Sequence, residues 1–293
     1  MAVLVPRLRN ARELEDEPTE RARVERWHRG LDRRLPTAST PGFARHFSVV
    51  TERLPGGFPS YSLVRRGSIP ARTVLYLHGG GYMAPISAWQ VRYATRLAGD
   101  VGARVVMPDH PLAPEHTWRD SHDALVSLAA RLAAGGELVI AGDSSGGGLA
   151  LAVAQSLRDR GGPQPRRLLL ISPWVDLTTS TPETPGLDAN DPWLFLGKVS
   201  AYAGWWAGHP DDLGRPEVSP GLGELAGLPP ALMFCGTRDL LVPGCRLLVR
   251  RAAAAGWDLT YVEEPDLIHV YPVLPGIPEA RRARRRAADF LLG

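Results

Sequence analysis

Apolar residues along the chain fall into short blocks, separated by longer stretches in which they recur every three or four positions. Blocks at 73–77, 104–107, 138–141, 168–171, 231–235 and 259–262 are rich in Val, Leu or Ile and end in turn residues. That is the pattern of parallel strands buried on both faces. Periodic stretches at 88–99, 121–134, 147–160, 244–255 and 279–291 predict helices between them. Within 47–66, two runs flank Pro55-Gly56-Gly57 and predict an antiparallel hairpin. Strands alternating with helices specify an α/β fold, a mostly parallel sheet with helices on both faces.

Two regions break the alternation. Residues 1–44 are rich in Arg and Glu and helical in character, whereas 178–228 are dense in Pro, Gly and Trp, with one helix expected around 198–207. Ligands of open α/β sheets bind beyond the carboxyl ends of the strands, where insertions gather. The expected division is a core of 45–177 and 229–293, capped by 1–44 and by the insertion 178–228.

Composition narrows the class. Of the 293 residues, 44% are hydrophobic and 22% charged, with a formal net charge of +3. This is ordinary for a soluble globular chain large enough to fold without a covalent or metal staple. The cations are nearly all Arg, with Lys198 the one lysine, which reads as codon bias rather than adaptation to a partner. Cys235 and Cys245 are too few for a disulfide framework, and Cys235 sits in an apolar run as a small buried hydrophobe. There is no export-type apolar segment near the N-terminus, where Glu13, Glu15, Asp16 and Glu17 interrupt the arginines, and no run long enough to span a bilayer. A cytoplasmic protein without a membrane partner is expected. Arg281, Arg282, Arg284, Arg285 and Arg286 share a helix with Ala283, Ala287, Phe290 and Leu291, a solvated face rather than a nucleic-acid surface. His110, His116 and His122 lack a metal-ligand spacing, so no metal is expected.

The chemistry concentrates in turns after strands. Gly142-Asp143-Ser144-Ser145-Gly146 follows the strand at 138–141 and precedes a helix. A strand turning sharply into a helix lifts the central hydroxyl clear of the sheet at a helix N-terminus, and flanking glycines let the turn close. His78-Gly79-Gly80-Gly81 follows the strand at 73–77. Glycines there let backbone N–H groups approach a developing oxyanion, and those of Gly80, Gly81 and Ser145 are the candidates. His78 itself reads as structural. A serine nucleophile needs a base, and the base an orienting acid, in the order serine, acid, histidine on late loops. Asp239 follows the strand at 231–235 and His269 the strand at 259–262. Asp239 is preferred to Glu263, Glu264 and Asp266 because acid and base should come from different loops.

These residues resemble the hormone-sensitive-lipase family of esterases, the HGGG branch of the α/β-hydrolases. The resemblance rests on His78-Gly79-Gly80-Gly81-Tyr82, Pro111-Leu112-Ala113-Pro114-Glu115-His116, Gly142-Asp143-Ser144-Ser145-Gly146-Gly147, Asp239 and His269. It implies an eight-stranded sheet with a helical cap, and an acyl-enzyme mechanism without metal or organic cofactor. It also implies a small acyl substrate, usually a short-acyl ester; monoterpene-lactone hydrolases and acetyl-hydrolases look nearest, and a natural-product deacetylase is the alternative. Two departures stand out: His110 where the family usually has Tyr, and His269-Val270-Tyr271 where it usually has His-Gly-Phe. Tyr82, Trp174, Trp193, Phe195, Trp205 and Trp206 are candidates to line the substrate pocket, with cap packing as the competing role. A ligand-binding protein on the same scaffold is the remote alternative, and a homodimer remains open.

Overall fold

A computed structural model describes residues 14–293; the first thirteen residues of the expected cap segment, Glu13 among them, lie outside the described residues. The eight strands are β1 (Phe47–Arg53), β2 (Pro59–Arg65), β3 (Arg72–Leu77), β4 (Ala103–Pro108), β5 (Glu137–Asp143), β6 (Arg167–Ile171), β7 (Ala231–Gly236) and β8 (Leu259–Glu264). They form one sheet in the order β1-β2-β4-β3-β5-β6-β7-β8. β1 and β2 form the expected hairpin, Phe47 opposite Arg65 and Arg53 opposite Pro59, and β2 joins β4 antiparallel. Every later pairing is parallel.

Helices α1 (Glu17–His28), α2 (Ala88–Asp100), α3 (His122–Ala134), α4 (Ser145–Asp159), α5 (Leu196–Ala207), α6 (Val242–Ala254) and α7 (Pro278–Leu292) accompany the sheet. Two apolar cores result because successive strand side chains point to opposite faces. Leu75, Leu77, Ile140, Leu168, Leu170 and Met233 pack on one side with residues of α3, α4 and α6. Val74, Tyr76, Val139, Leu169, Ile171 and Phe234 pack on the other with residues of α2 and α7. β8 differs from the expectation of full burial: its residues are only partly buried, because as an edge strand it has a neighbour on one side.

The chain after β3 crosses to β4, while the chain after β5 moves the other way to β6. β3 and β5 are nevertheless neighbours, with Leu77 beside Gly142. Two adjacent strand ends whose continuations diverge leave a crevice between them, the usual ligand position in such sheets. The two glycine motifs stand on its two sides. Above it, α1 and α5 pack together: the Trp205 indole N–H donates to Glu17 at 2.8 Å, and the Tyr202 hydroxyl donates to Glu20. The rest of the 178–228 stretch does not all lie over the crevice. Near its end Pro220 and Glu224 carbonyls accept from Gln155 of α4 at 2.9 and 3.1 Å, on the flank of the core. Among the described residues no helix is long and apolar enough to cross a membrane.

Candidate active site

Ser144 sits between β5 and α4 with φ 53° and ψ −125°, in the left-handed half of backbone space, a strain of about 1–3 kcal/mol. Close contacts enforce this turn. A Cβ on Gly142 would lie 2.2 Å from the Gly146 carbonyl oxygen, and one on Gly146 would lie 2.1 Å from that of Leu77. A side chain at Gly142 would force the turn itself open, and one at Gly146 would push it off β3. Three donors, the N–H groups of Gly147, Gly148 and Trp174, bind the Ser144 carbonyl at 2.9–3.2 Å and pin the strained residue.

The sheet brings three distant side chains into one line. His269 Nε2 lies 2.9 Å from Ser144 Oγ, and His269 Nδ1 lies 2.9 Å from Asp239 Oδ2. All three residues are buried. Burial disfavours a charged imidazole, but the Asp239 carboxylate and its hydrogen bond, with Asp191 and Asp143 further off, outweigh it and raise the His269 pKa. Burial likewise pushes Asp239 up, yet the imidazole and the Leu241 N–H overcome it and hold that carboxyl below its ordinary range. The acid stays ionised and keeps Nδ1 protonated, so Nε2 faces the hydroxyl as an acceptor.

The Gly80, Gly81 and Ser145 N–H groups are donors to no acceptor among the described residues. Gly80 has φ +130°, and a Cβ on it would meet Ala84 at 2.8 Å. Ser145 is the first residue of α4, where N–H groups have no helical partner and the helix end favours negative charge.

A cavity of about 580 Å³ opens onto Ser144, His269, Gly80 and Gly81. Trp174, Trp193 and Phe195 line it, and the Trp193 ring meets the His269 ring edge-on at 5.9 Å. Tyr82, Trp205 and Trp206 do not, which corrects that part of the expectation. Tyr82 and Trp206 stack on each other at 4.2 Å with ring planes 4° apart, buried in the core. Trp205 spends its indole N–H on Glu17. The reason is position along α5: Phe195, Lys198, Val199 and Tyr202 face the cavity, and the two tryptophans come a turn later, where the helix docks onto its neighbours.

Several supporting residues have no role legible in the sequence, although Asp143 lies within the serine motif. Asp143, fully buried, accepts from the Tyr76 hydroxyl at 2.8 Å, the Gln90 amide at 2.9 Å and the Gly79 N–H at 3.2 Å, joining the two glycine turns. Asp191, from the 178–228 stretch, accepts from Trp193 and Leu194 N–H groups at 2.7 and 3.0 Å and from Leu240 N–H at 2.7 Å. It ties the wall carrying Trp193 to the turn carrying Asp239. Cys235, read as a plain hydrophobe, also points its thiol at Asp239 Oδ2, 3.5 Å away. His78 and His110 stack at 4.3 Å, and burial pushes their pKa values down to about 4 and about 3, so both rings are neutral and structural. His122 bonds Ser156 and His116 is half exposed beside Asp120.

A family model described as alpha/beta hydrolase fold matches residues 74–273, two thirds of the chain. The chain belongs to the α/β-hydrolase family. This hydrolase is 36% identical over 234 residues to an acetyl-hydrolase of Streptomyces hygroscopicus, covering 78% of each chain. Among solved structures it is similar to the esterase EstE5 soaked with p-nitrophenyl butyrate, with TM-score 0.82 and 28% identity over 99% of this chain and 97% of that one. It is also similar to an esterase from the bacterial hormone-sensitive lipase family, with TM-score 0.79 and 27% identity over 98% and 95% of the two chains. It is an ester-bond hydrolase, with esterases of the hormone-sensitive lipase family among its structural neighbours.

Proposed function

We propose that this hydrolase cleaves short-acyl carboxylic esters through an acyl-enzyme on Ser144. The observation that carries the reading is the continuous relay Asp239–His269–Ser144, with both links at 2.9 Å, beside three unpaired backbone donors. His269 removes the Ser144 proton as the oxygen attacks the acyl carbonyl, and Asp239 holds the tautomer and stabilises the imidazolium. The tetrahedral oxyanion is met by the N–H groups of Gly80, Gly81 and Ser145, each such donor being worth about 2.7–4 kcal/mol. His269 then protonates the leaving alcohol, and water repeats the cycle to release the acid. Trp174, Trp193 and Phe195 supply the apolar walls that hold the acyl or alcohol part and exclude water from the relay. The division into a 45–177 and 229–293 core with caps from 1–44 and 178–228 belongs to the same proposal, supported by α1 and α5 over the crevice.

An acetyl ester is the first candidate within the class, since the Streptomyces relative is named an acetyl-hydrolase. A lactone makes the same demands on the site, with the leaving alcohol tethered to its acyl group. The decisive experiment treats the folded protein with a p-nitrophenyl phosphonate and maps the adduct by mass spectrometry. Labelling of Ser144 with parallel loss of p-nitrophenyl acetate turnover is expected; an adduct on Ser121 or Ser172 with turnover lost overturns the assignment.

A further inference from the structure

The cavity wall contributed by α1 and α5 is charged, although the cavity is otherwise mostly apolar. Arg23 and Lys198 both line it. Glu20 lies between them, accepting from Arg23 Nη2 at 2.6 Å and Nε at 2.8 Å and from the Tyr202 hydroxyl. The Arg23 hydrogen bonds hold the Glu20 carboxyl down to about 2 against the cost of its burial, with Tyr202 and Lys198 assisting, so it is ionised at any working pH. Its two oxygens are already served by short bonds. Lys198 Nζ stands off at 3.7 Å from Glu20, beyond hydrogen-bond distance, and 6.0 Å from the centre of the Phe195 ring.

Among the described residues, two cations against one carboxylate leave this wall with one net positive charge. Asp143 also reaches the cavity, but its oxygens are taken by Tyr76, Gln90 and Gly79. The Lys198 side chain is only 13% exposed, and among the described residues its ammonium has no hydrogen-bond acceptor, only the long ion pair with Glu20. That is costly unless something in the cavity accepts it.

The residue type sharpens the point. The chain has 34 Lys and Arg residues, and Lys198 is the one lysine. An Arg at 198 would fork onto Glu20 as Arg23 does, whereas a Lys keeps a compact charge with rotatable donors free for a ligand. We infer that Lys198, backed by Arg23, is an anion-recognition point, and that the preferred ester carries one carboxylate remote from the bond that breaks. This rests on the ester-hydrolase reading above and names its substrate class. The competing role for Lys198 is a staple between α5 and α1, which would affect neutral and anionic esters alike.

The test uses the full chain and two matched ester pairs, after subtraction of spontaneous hydrolysis. In one, p-nitrophenyl hydrogen glutarate and its methyl-capped neutral twin place the carboxylate on the acyl side. In the other, 4-carboxyphenyl butyrate and its methyl-capped twin place it on the alcohol side. The readout is the anionic-to-neutral ratio of kcat/KM, compared between wild type, Lys198→Met and Glu20→Gln. The ratio within one enzyme cancels any loss of folded protein, and comparing enzymes cancels intrinsic ester reactivity. In Lys198→Met the ratio should fall about tenfold in one pair, the discrimination one charge-assisted hydrogen bond supplies. In Glu20→Gln it should rise, and the responding pair tells which half of the ester bears the charge. An unchanged ratio in both pairs for Lys198→Met overturns the inference in favour of the staple. Should that variant not fold, Glu20→Gln decides: a ratio that stays level or drops refutes the recognition point. Absence of turnover for every ester overturns the esterase reading itself and this inference with it, a distinct result.

Discussion

On the core wall of the cavity, Ser144, His269 and Asp239 are joined by two bonds of 2.9 Å and all are buried. On the cap wall, Arg23 and Lys198 lean over a shared carboxylate, with side-chain exposures of 49% and 13% and one contact stretched to 3.7 Å. The core groups project from short turns at strand ends, and backbone contacts dictate where they stand. The cap groups sit at the tips of long side chains on α1 and α5, far apart in sequence. A triad tolerates little displacement, because the reacting atoms must stay in line. A recognition charge acts over several ångströms and tolerates more. On the proposed reading, rigid chemistry lies on the sheet and adjustable selection on the helices.

The largest expected effect tests the core wall at its centre. Ser144→Ala should lower kcat roughly a million-fold while far-UV circular dichroism stays unchanged; residual turnover within tenfold of wild type would move the nucleophile elsewhere. Gly80→Ala comes next. It places a Cβ 2.8 Å from Ala84 at φ +130° and displaces an oxyanion donor, so kcat should fall about a hundredfold or more. Equal loss of Tm and kcat, restored on cooling, would make Gly80 a folding residue only.

A third variant probes the seam between the two walls, where Asp191 of the 178–228 stretch bonds the Leu240 N–H beside Asp239. Catalysis needs neutral His269, and its raised pKa keeps the proton on the ring to higher pH. The acid limb of kcat/KM should then have its midpoint above the ordinary histidine value of 6.5. Asp191→Asn removes one of the carboxylates that raise it, so the midpoint should move down and activity persist further into acid. An unmoved midpoint would show that Asp191 acts on geometry alone. The smallest effect belongs to the cap. Glu17→Ala loses the bond from the Trp205 indole to the exposed Glu17 carboxylate, about 1 kcal/mol or less, seen as a slight fall in Tm. A large loss of turnover instead would mean that the cap holds the relay in place.

Much of the core wall was legible before any coordinates. Short apolar blocks ending in turn residues located the strands, and the elbow, the glycine run and the late Asp239 and His269 followed from their places after those strands. Asp143, Asp191 and Cys235 escaped because a carboxylate or thiol looks the same in sequence whether it faces water or a buried polar partner. Tyr82, Trp205 and Trp206 were misplaced for a related reason. An aromatic side chain on a turn or a helix is equally suited to a cavity or a core, and only the neighbour it meets distinguishes them.

The amino-acid order by itself determined the alternating strands and helices, the strained serine turn and the loops that bear acid and base. Each of these depends on contacts within a few residues or on strict periodicity. Tertiary structure alone decided that Asp191 braces the acid turn, that two of the cap tryptophans pack away from the cavity, and that the sole lysine stands over it beside an already satisfied Glu20. Those outcomes depend on the packing of α1 against α5, segments about 180 residues apart in the chain, and no local pattern encodes which long side chains will meet across such a distance.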